Sequence, residues 1–416
     1  MANMKYEGIK FRENLYSGPK TYKYGTHRAI SPESTYQKIK PYFKKAGITR
    51  IANITGLDNI GIPTALSVRP NSIYLSVDAG KGFTLKAAEV SASMECIERY
   101  SAETAKLDEI TLPYEKLSRL YETEPLDKLP LSKESLFNVN KAETWALGYD
   151  IISGKEVYVP SSLVHLRGFN GLGADRVSFQ FGSNGLASGN TFAEALCMGV
   201  YEVIERDAIT CHTFASQRIN TIEPRVRLSS IDFPLVRELI ERLRSAEAAL
   251  ILLDCSTDTQ VPVYKAYVYD VKTRNVGVFK GYGAHLDREI AMVRAITEAV
   301  QARAVYIAGA RDDFFKYNYV LLKTTDNAAT IKALEEAPQS IDAALTSQST
   351  DTFEGDIRVC IEKLKNIGLD SIIVFDLTPS DIDISVVRVV IPGLEGYMNN
   401  YYAPGKRALK RISQKG

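Results

Sequence analysis

Apolar and small residues recur at helical spacing in three stretches of this chain, and in each stretch carboxylates fall among positions that ought to be buried. All three follow one plan: a Gly-rich approach, a Thr or Asp cap, and eleven residues after the cap a Glu-x-x-Glu-Arg or Glu-x-x-Gln. The copies run from Thr84 to Glu95-x-x-Glu98-Arg99, from Thr191 to Glu202-x-x-Glu205-Arg206, and from Asp287 to Glu298-x-x-Gln301 with Arg303 just beyond. Their caps lie 107 and then 96 residues apart, which hints at internal duplication.

Elsewhere the pattern predicts shorter elements. Ser31-Pro32 is a cap followed by Pro at the first helical position, opening a helix to about Lys45. Strands are expected near Ile48–Leu57, Ala65–Leu75, Glu143–Tyr149, Lys155–Pro160, Ala249–Cys255, Val261–Tyr269, Val276–Gly281, Ser371–Asp376 and Val386–Val390, with a helix near Ile357–Ile367. Short polar turns between adjacent strands favour antiparallel pairing, so the expected class is α+β with mixed or antiparallel sheets. Residues 1–20 read as an irregular lead-in, 21–400 as a single composite domain, 333–356 as an insertion or mobile loop, and 401–416 as a basic tail.

Composition narrows the function. At 416 residues with a net charge of +1, the chain has ample core material and no nucleic-acid footprint. No apolar run is long enough for a membrane span, and the N-terminus has no apolar signal core, so a cytoplasmic protein is expected. The five cysteines form no Cys-x-x-Cys and the four histidines share no spacing, which argues against disulfide, zinc or His-based metal sites. Cys96 and Cys197 are most simply small core residues. Ser/His/Asp catalysis has no motif here.

An unpaired buried carboxylate costs several kcal/mol, so something cationic must meet the acids. The five acids of the three copies, Glu95, Glu98, Glu202, Glu205 and Glu298, exceed what Arg99 and Arg206 neutralise, and Mg²⁺ with a bound polyphosphate is the economical solution. On the first helix Ser91, Glu95 and Glu98 share a stripe suited to a metal, although Glu95–Arg99 is also a plausible intrahelical ion pair. On the second, Glu194 and Glu205 lie within about 20° of each other and Glu202 about 80° away. Thr191-x-x-Glu194 is equally a capping-box pattern, so Glu194 is either a cap or a metal ligand, and Asn190 either a turn residue or a neutral ligand. On the third, Glu298 and Gln301 are neighbours, but Arg303 is about 200° from Gln301. Either the helix distorts there or Arg303 serves a structural ion pair. The Gly-rich approaches are expected to offer anion sites at helix N-termini, and Arg28 either meets a phosphate or is simply solvated.

Taken together, Ser91-x-x-x-Glu95-x-x-Glu98-Arg99, Asn190-x-x-x-Glu194, Glu202-x-x-Glu205-Arg206-Asp207 and Thr297-Glu298-Ala-Val-Gln301-Ala-Arg303 resemble the YcaO family in type, spacing and order. Gly25-Thr-His-Arg-Ala-Ile-Ser-Pro-Glu33 and Ile391-Pro-Gly-Leu-Glu395 are similar to stand-alone archaeal-type members that work with a TfuA-like partner. The resemblance implies a YcaO-type fold with the acidic helices around an ATP–Mg²⁺ site. It places Ser91, Glu95, Glu98, Arg99, Asn190, Glu194, Glu202, Glu205, Arg206 and Gln301 at that site, with Arg28, Glu298 and Arg303 following by looser matches. Glu95, Glu98, Glu194, Glu202 and Glu205 are the implied metal ligands, and Arg99 and Arg206 the implied catalytic cations. The implied reaction is ATP-dependent attack on a peptide-backbone amide, by sulfide to give a thioamide or by Cys, Ser or Thr to give an azoline. The tail lacks the Pro-rich end common in cyclodehydratases, which favours thioamidation. The implied substrate is a glycine in the α subunit of methyl-coenzyme M reductase, with a sulfide source, and the implied assembly is a homodimer.

Overall fold

The computed structural model describes residues 8–167, 178–272, 277–324, 327–340, 347–399 and 402–415. Contacts divide the chain into two compact units: one from Met1–Lys20, Ile97–Ile219 and Thr350–Gly416, the other from Thr21–Cys96 and Asn220–Ser349. The division falls within the first acidic helix, Leu85–Thr104.

The first unit is built on a six-stranded antiparallel sheet. Its strand order is Glu109–Pro113, Ala142–Asp150, Ile373–Asp376, Ser385–Val390, Leu186–Gly189, with Lys155–Pro160 also paired to Ala142–Asp150. The second acidic helix, Phe192–Ile219, packs on the last two strands of that order and against the helices Phe353–Lys365 and Lys406–Lys415. Residues 1–20 are not wholly irregular: Ile9–Phe11 and Asn14–Tyr16 form a hairpin whose Phe11 and Tyr16 rings lie 4.9 and 4.2 Å from Phe192. Three residues per strand are too few to show a period. Buried Lys20 pairs with Asp356, which also accepts from the Tyr201 hydroxyl at 2.5 Å, so that buried charge is compensated.

The second unit holds a five-stranded sheet in the order Phe279–Ala284, Val263–Asp270, Ala248–Asp254, Arg225–Val226, Gln339–Ser340. Only its last pair is parallel among the described pairings. Arg50–Asn53, Thr64–Val68 and Val77–Lys81 form an antiparallel meander. The third acidic helix, Arg288–Ala308, lays Ala291, Ala295 and Ala299 on Tyr264, Ala266 and Val268, in one core with Val236 and Leu239 of the helix Pro234–Ser245. The 333–356 stretch is no single loop: a helix runs to Glu336, Gln339–Ser340 joins the sheet and Thr352 caps the next helix, while residues 341–346 lie outside the described set. Val276, at the head of one expected strand, also lies outside it.

Strand makes up half or more of each Gly-rich approach. Val77–Lys81, Leu186–Gly189 and Phe279–Ala284 each lead to an acidic helix, and their glycines let the helix backbone come close. A Cβ at Gly80 would collide with Ala88 O and Ala92 N, and one at Gly283 with Ala291 O and Ala295 N. Both glycines lie four residues before their caps, so the two copies share one helix-on-strand packing. Gly189 faces Thr191 O and Ala195 N in the same manner. No helix among the described residues is long and apolar enough to cross a membrane.

Candidate functional site

In the first unit the acids converge on the strand end Gly185–Gly189. Half-buried Glu98 accepts from Ser188 N at 2.9 Å and from Ser188 Oγ at 2.7 Å, both through Oε1. Glu202 accepts the Gly185 N–H at 3.2 Å. Thr191 caps its helix by accepting the Glu194 N–H at 3.2 Å, and buried Glu194 accepts the N–H of Asn190, one residue before the cap, at 3.2 Å. The capping role weighed for Glu194 is thus realised with a one-residue offset, and Asn190 is its partner. Glu205 and Arg99 are buried, and the Arg206 guanidinium lies over the Tyr397 ring, 4.6 Å from its centroid. Burial pushes the Glu202 carboxyl above the usual carboxylate range; the Arg206 charge opposes this and the Glu205 charge adds to it.

In the second unit Ser91 and Glu95 are half-buried on the first acidic helix, which Thr84 caps by accepting the Ala87 N–H at 3.1 Å. Arg28 exchanges backbone hydrogen bonds with Tyr22 at 2.9 and 3.0 Å. Gln301 is half-buried on the third helix. Glu298 accepts from Lys81 Nζ at 3.0 Å and from Tyr282 N at 3.3 Å, so its charge is matched by a lysine that sequence reading did not assign. Arg303 is a structural ion pair: its helix runs regularly on to Ala308, and its guanidinium meets Asp58 at 2.9 Å and Asp270 at 2.9 Å. Both residues thus meet protein charges, Glu298 a lysine and Arg303 two aspartates.

The thiol and imidazole expectations also meet geometry. All five cysteines are buried, and burial pushes the Cys96 and Cys197 thiols up, so neither is a ready thiolate. The fold brings His27 and His285 together, ring centroids 4.8 Å apart and nearly perpendicular. Among the described residues no three His, Cys, Asp or Glu side chains form a ready metal cage.

The donor set of the first unit nevertheless suits a divalent cation carrying phosphates. Mg²⁺ is commonly held by one or two carboxylates, with phosphate oxygens and water filling its other positions, so a complete protein cage is not required. Glu202, raised in proton affinity by burial against the opposing charge of Arg206, is a carboxylate whose charged form a further cation would stabilise. Ser188, Tyr397 and Lys81 escaped sequence reading because none lies on an acidic helix; the positions of Ser188 and Lys81 in Gly-rich strands were the local signals.

Residues 79–395 match the sequence model of a family described as YcaO cyclodehydratase, ATP- and Mg²⁺-binding. The chain is 34% identical over 398 residues to an uncharacterized protein in the tfuA 3′ region of Rhizobium leguminosarum bv. trifolii, covering 92% of this chain and 93% of that one. It is 33% identical over 396 residues to an uncharacterized protein of Methanothermobacter thermautotrophicus, covering 92% and 99%. Among solved structures, a heterocyclase in complex with substrate and cofactor matches with a TM-score of 0.80 at 23% identity, covering 96% of this chain and 56% of that one. YcaO from Methanopyrus kandleri, bound with AMPPCP and Mg²⁺, matches with a TM-score of 0.72 at 22% identity, covering 93% and 99%. The α+β architecture is thus that of YcaO proteins; this chain belongs to the YcaO family, and its cofactors are ATP and Mg²⁺.

Proposed function

We propose that this chain activates a peptide-backbone amide by ATP-dependent phosphorylation and that sulfide addition converts the amide to a thioamide. The observation that carries the sulfur branch is the near full-length relationship to the protein of the tfuA 3′ region. When bound, ATP with Mg²⁺ supplies the phosphoryl group that makes the former carbonyl oxygen a leaving group. Glu95, Glu98, Glu194, Glu202 and Glu205 would hold the metal, and Ser91 and Asn190 would contribute neutral oxygens. Arg99 and Arg206 would stabilise the negative charge in transfer, as fixed cations do at transferring phosphoryl groups. Gln301 and Arg28 complete the proposed nucleotide contacts. Sulfide adds to the amide carbon, the oxygen leaves as phosphate, and the carbon keeps sulfur in its place.

The substrate this reading favours is a glycine in the α subunit of methyl-coenzyme M reductase, modified in the cytoplasm by a homodimer with a TfuA-like partner. The likeness to a methanogen protein supports that choice. The test is peptide mass spectrometry after incubation with enzyme, ATP, Mg²⁺ and sulfide, with and without the partner. An ATP-dependent mass gain equal to replacing one oxygen by sulfur on glycine is expected. A second reading, azoline formation on Cys, Ser or Thr, is favoured by the heterocyclase likeness and would appear as loss of one water. Absence of any Mg²⁺-dependent nucleotide binding would overturn both.

A further inference from the structure

The segment after the strand Ser385–Val390 lies outside the recurring helix plan, yet the second acidic helix grips it next to Arg206. Asp207, fully buried, accepts the Glu395 N–H at 2.9 Å and takes a two-pronged ion pair from Arg407, Nε–Oδ1 at 2.8 Å and Nη2–Oδ2 at 2.9 Å. Thr210, three residues along, donates its hydroxyl to the Gly396 carbonyl at 2.8 Å and accepts the Met398 N–H at 3.1 Å. Gln180 donates to the Tyr397 carbonyl at 2.5 Å. Glu395 then accepts from the Tyr402 hydroxyl and the Gly405 and Ala408 N–H groups at 2.9, 2.9 and 2.8 Å, anchoring the start of the helix Lys406–Lys415. Residues 395, 396 and 398 are therefore held on either side of Tyr397, whose ring carries Arg206.

An arginine side chain loses rotamer entropy when it is fixed to meet a phosphate in one geometry. A ring face attracts the cation without using its N–H donors, so stacking can orient the guanidinium. The geometry points to Tyr397 as a positioning residue for Arg206, presented by a C-terminal segment latched to the same helix through Asp207–Arg407. This rests on Arg206 serving the nucleotide as proposed above.

The test compares Arg206→Ala, Tyr397→Ala, Tyr397→Leu, Tyr397→Phe and the Arg206→Ala/Tyr397→Ala double variant in ATP turnover and in melting temperature. Tyr397→Ala and the volume-keeping Tyr397→Leu should lower kcat about 2- to 5-fold, the range of a cation–π contact on an exposed ring, with KM for ATP little changed. Tyr397→Phe should restore kcat, and the double variant should be no slower than Arg206→Ala alone. Multiplicative losses in the double variant, equal losses in Tyr397→Phe and Tyr397→Leu, or an unchanged kcat in a folded Tyr397→Leu would overturn the positioning role. If Arg206→Ala itself leaves turnover unchanged, the nucleotide role of Arg206 fails first and this inference falls with it.

Discussion

Glu202 and Glu298 stand at the same place in two copies of one helix plan, eleven residues after the caps Thr191 and Asp287. Each accepts a backbone N–H from the approach to its own helix, Gly185 at 3.2 Å and Tyr282 at 3.3 Å. Beyond that bond they diverge. Glu298 has Lys81 at 3.0 Å, whereas at Glu202 burial raises the proton affinity, with Arg206 opposing and Glu205 adding to the rise. One plan has thus yielded a carboxylate in direct contact with a lysine and another whose proton affinity stays raised although Arg206 opposes the rise. Sequence periodicity cannot separate the two, because what differs is the neighbour contributed from elsewhere.

The largest expected break comes from Glu202→Gln. Phosphate release from ATP should fall by at least about 100-fold, since even outer-shell groups at metal sites account for 10- to 100-fold. The Mg²⁺-dependent thermal shift with a non-hydrolysable ATP analogue should vanish as well. Turnover within about threefold of the parent would remove Glu202 from the metal set.

Stability should respond most to Arg303→Met. It leaves Asp58 and Asp270 without their shared cation, which should cost about 3–5 kcal/mol in urea unfolding. An unchanged urea midpoint would refute the structural assignment of this arginine. Glu298→Gln breaks a pair whose side chains are 24% and 27% exposed, so a loss of no more than about 1 kcal/mol is expected. ATP turnover should stay near the parent value, and a collapse of turnover would place Glu298 at the nucleotide site.

The smallest effect is the pH dependence of the nucleotide-free protein. A carboxyl whose proton affinity is raised on folding takes up protons as the chain folds, so its contribution favours the fold at low pH and is lost as pH rises through the raised value. Melting curves of the parent and Glu202→Gln should therefore separate as pH climbs, with the glutamine variant relatively more stable. Convergence at high pH would show that the Glu202 charge is already compensated without ligand.

Much of the candidate site was legible because it is local. Helical spacing placed the acids on their stripes, and the three caps were read from residue type: Thr84, Thr191 and Asp287 all accept N–H groups of their first turns. Lys155–Pro160 and the central strands followed from alternation and turn chemistry. The helix Pro234–Ser245 was missed although Pro stands at its start, and so was the N-terminal hairpin, too short to carry a period. The glycines were misread for a physical reason: composition cannot tell whether a missing Cβ admits a phosphate or a helix backbone, and at Gly80 and Gly283 it admits the helix.

By itself, then, the sequence determined what depends on near neighbours: caps, helical stripes, antiparallel hairpins and the burial of acids among small residues. Only the tertiary structure decided which charges cancel. Lys81 reaches Glu298 across 217 residues, Asp58 and Arg303 meet across 245, and Asp207 and Arg407 across 200. An ion pair depends on distance in space and on the desolvation of both partners, and neither is a function of separation along the chain.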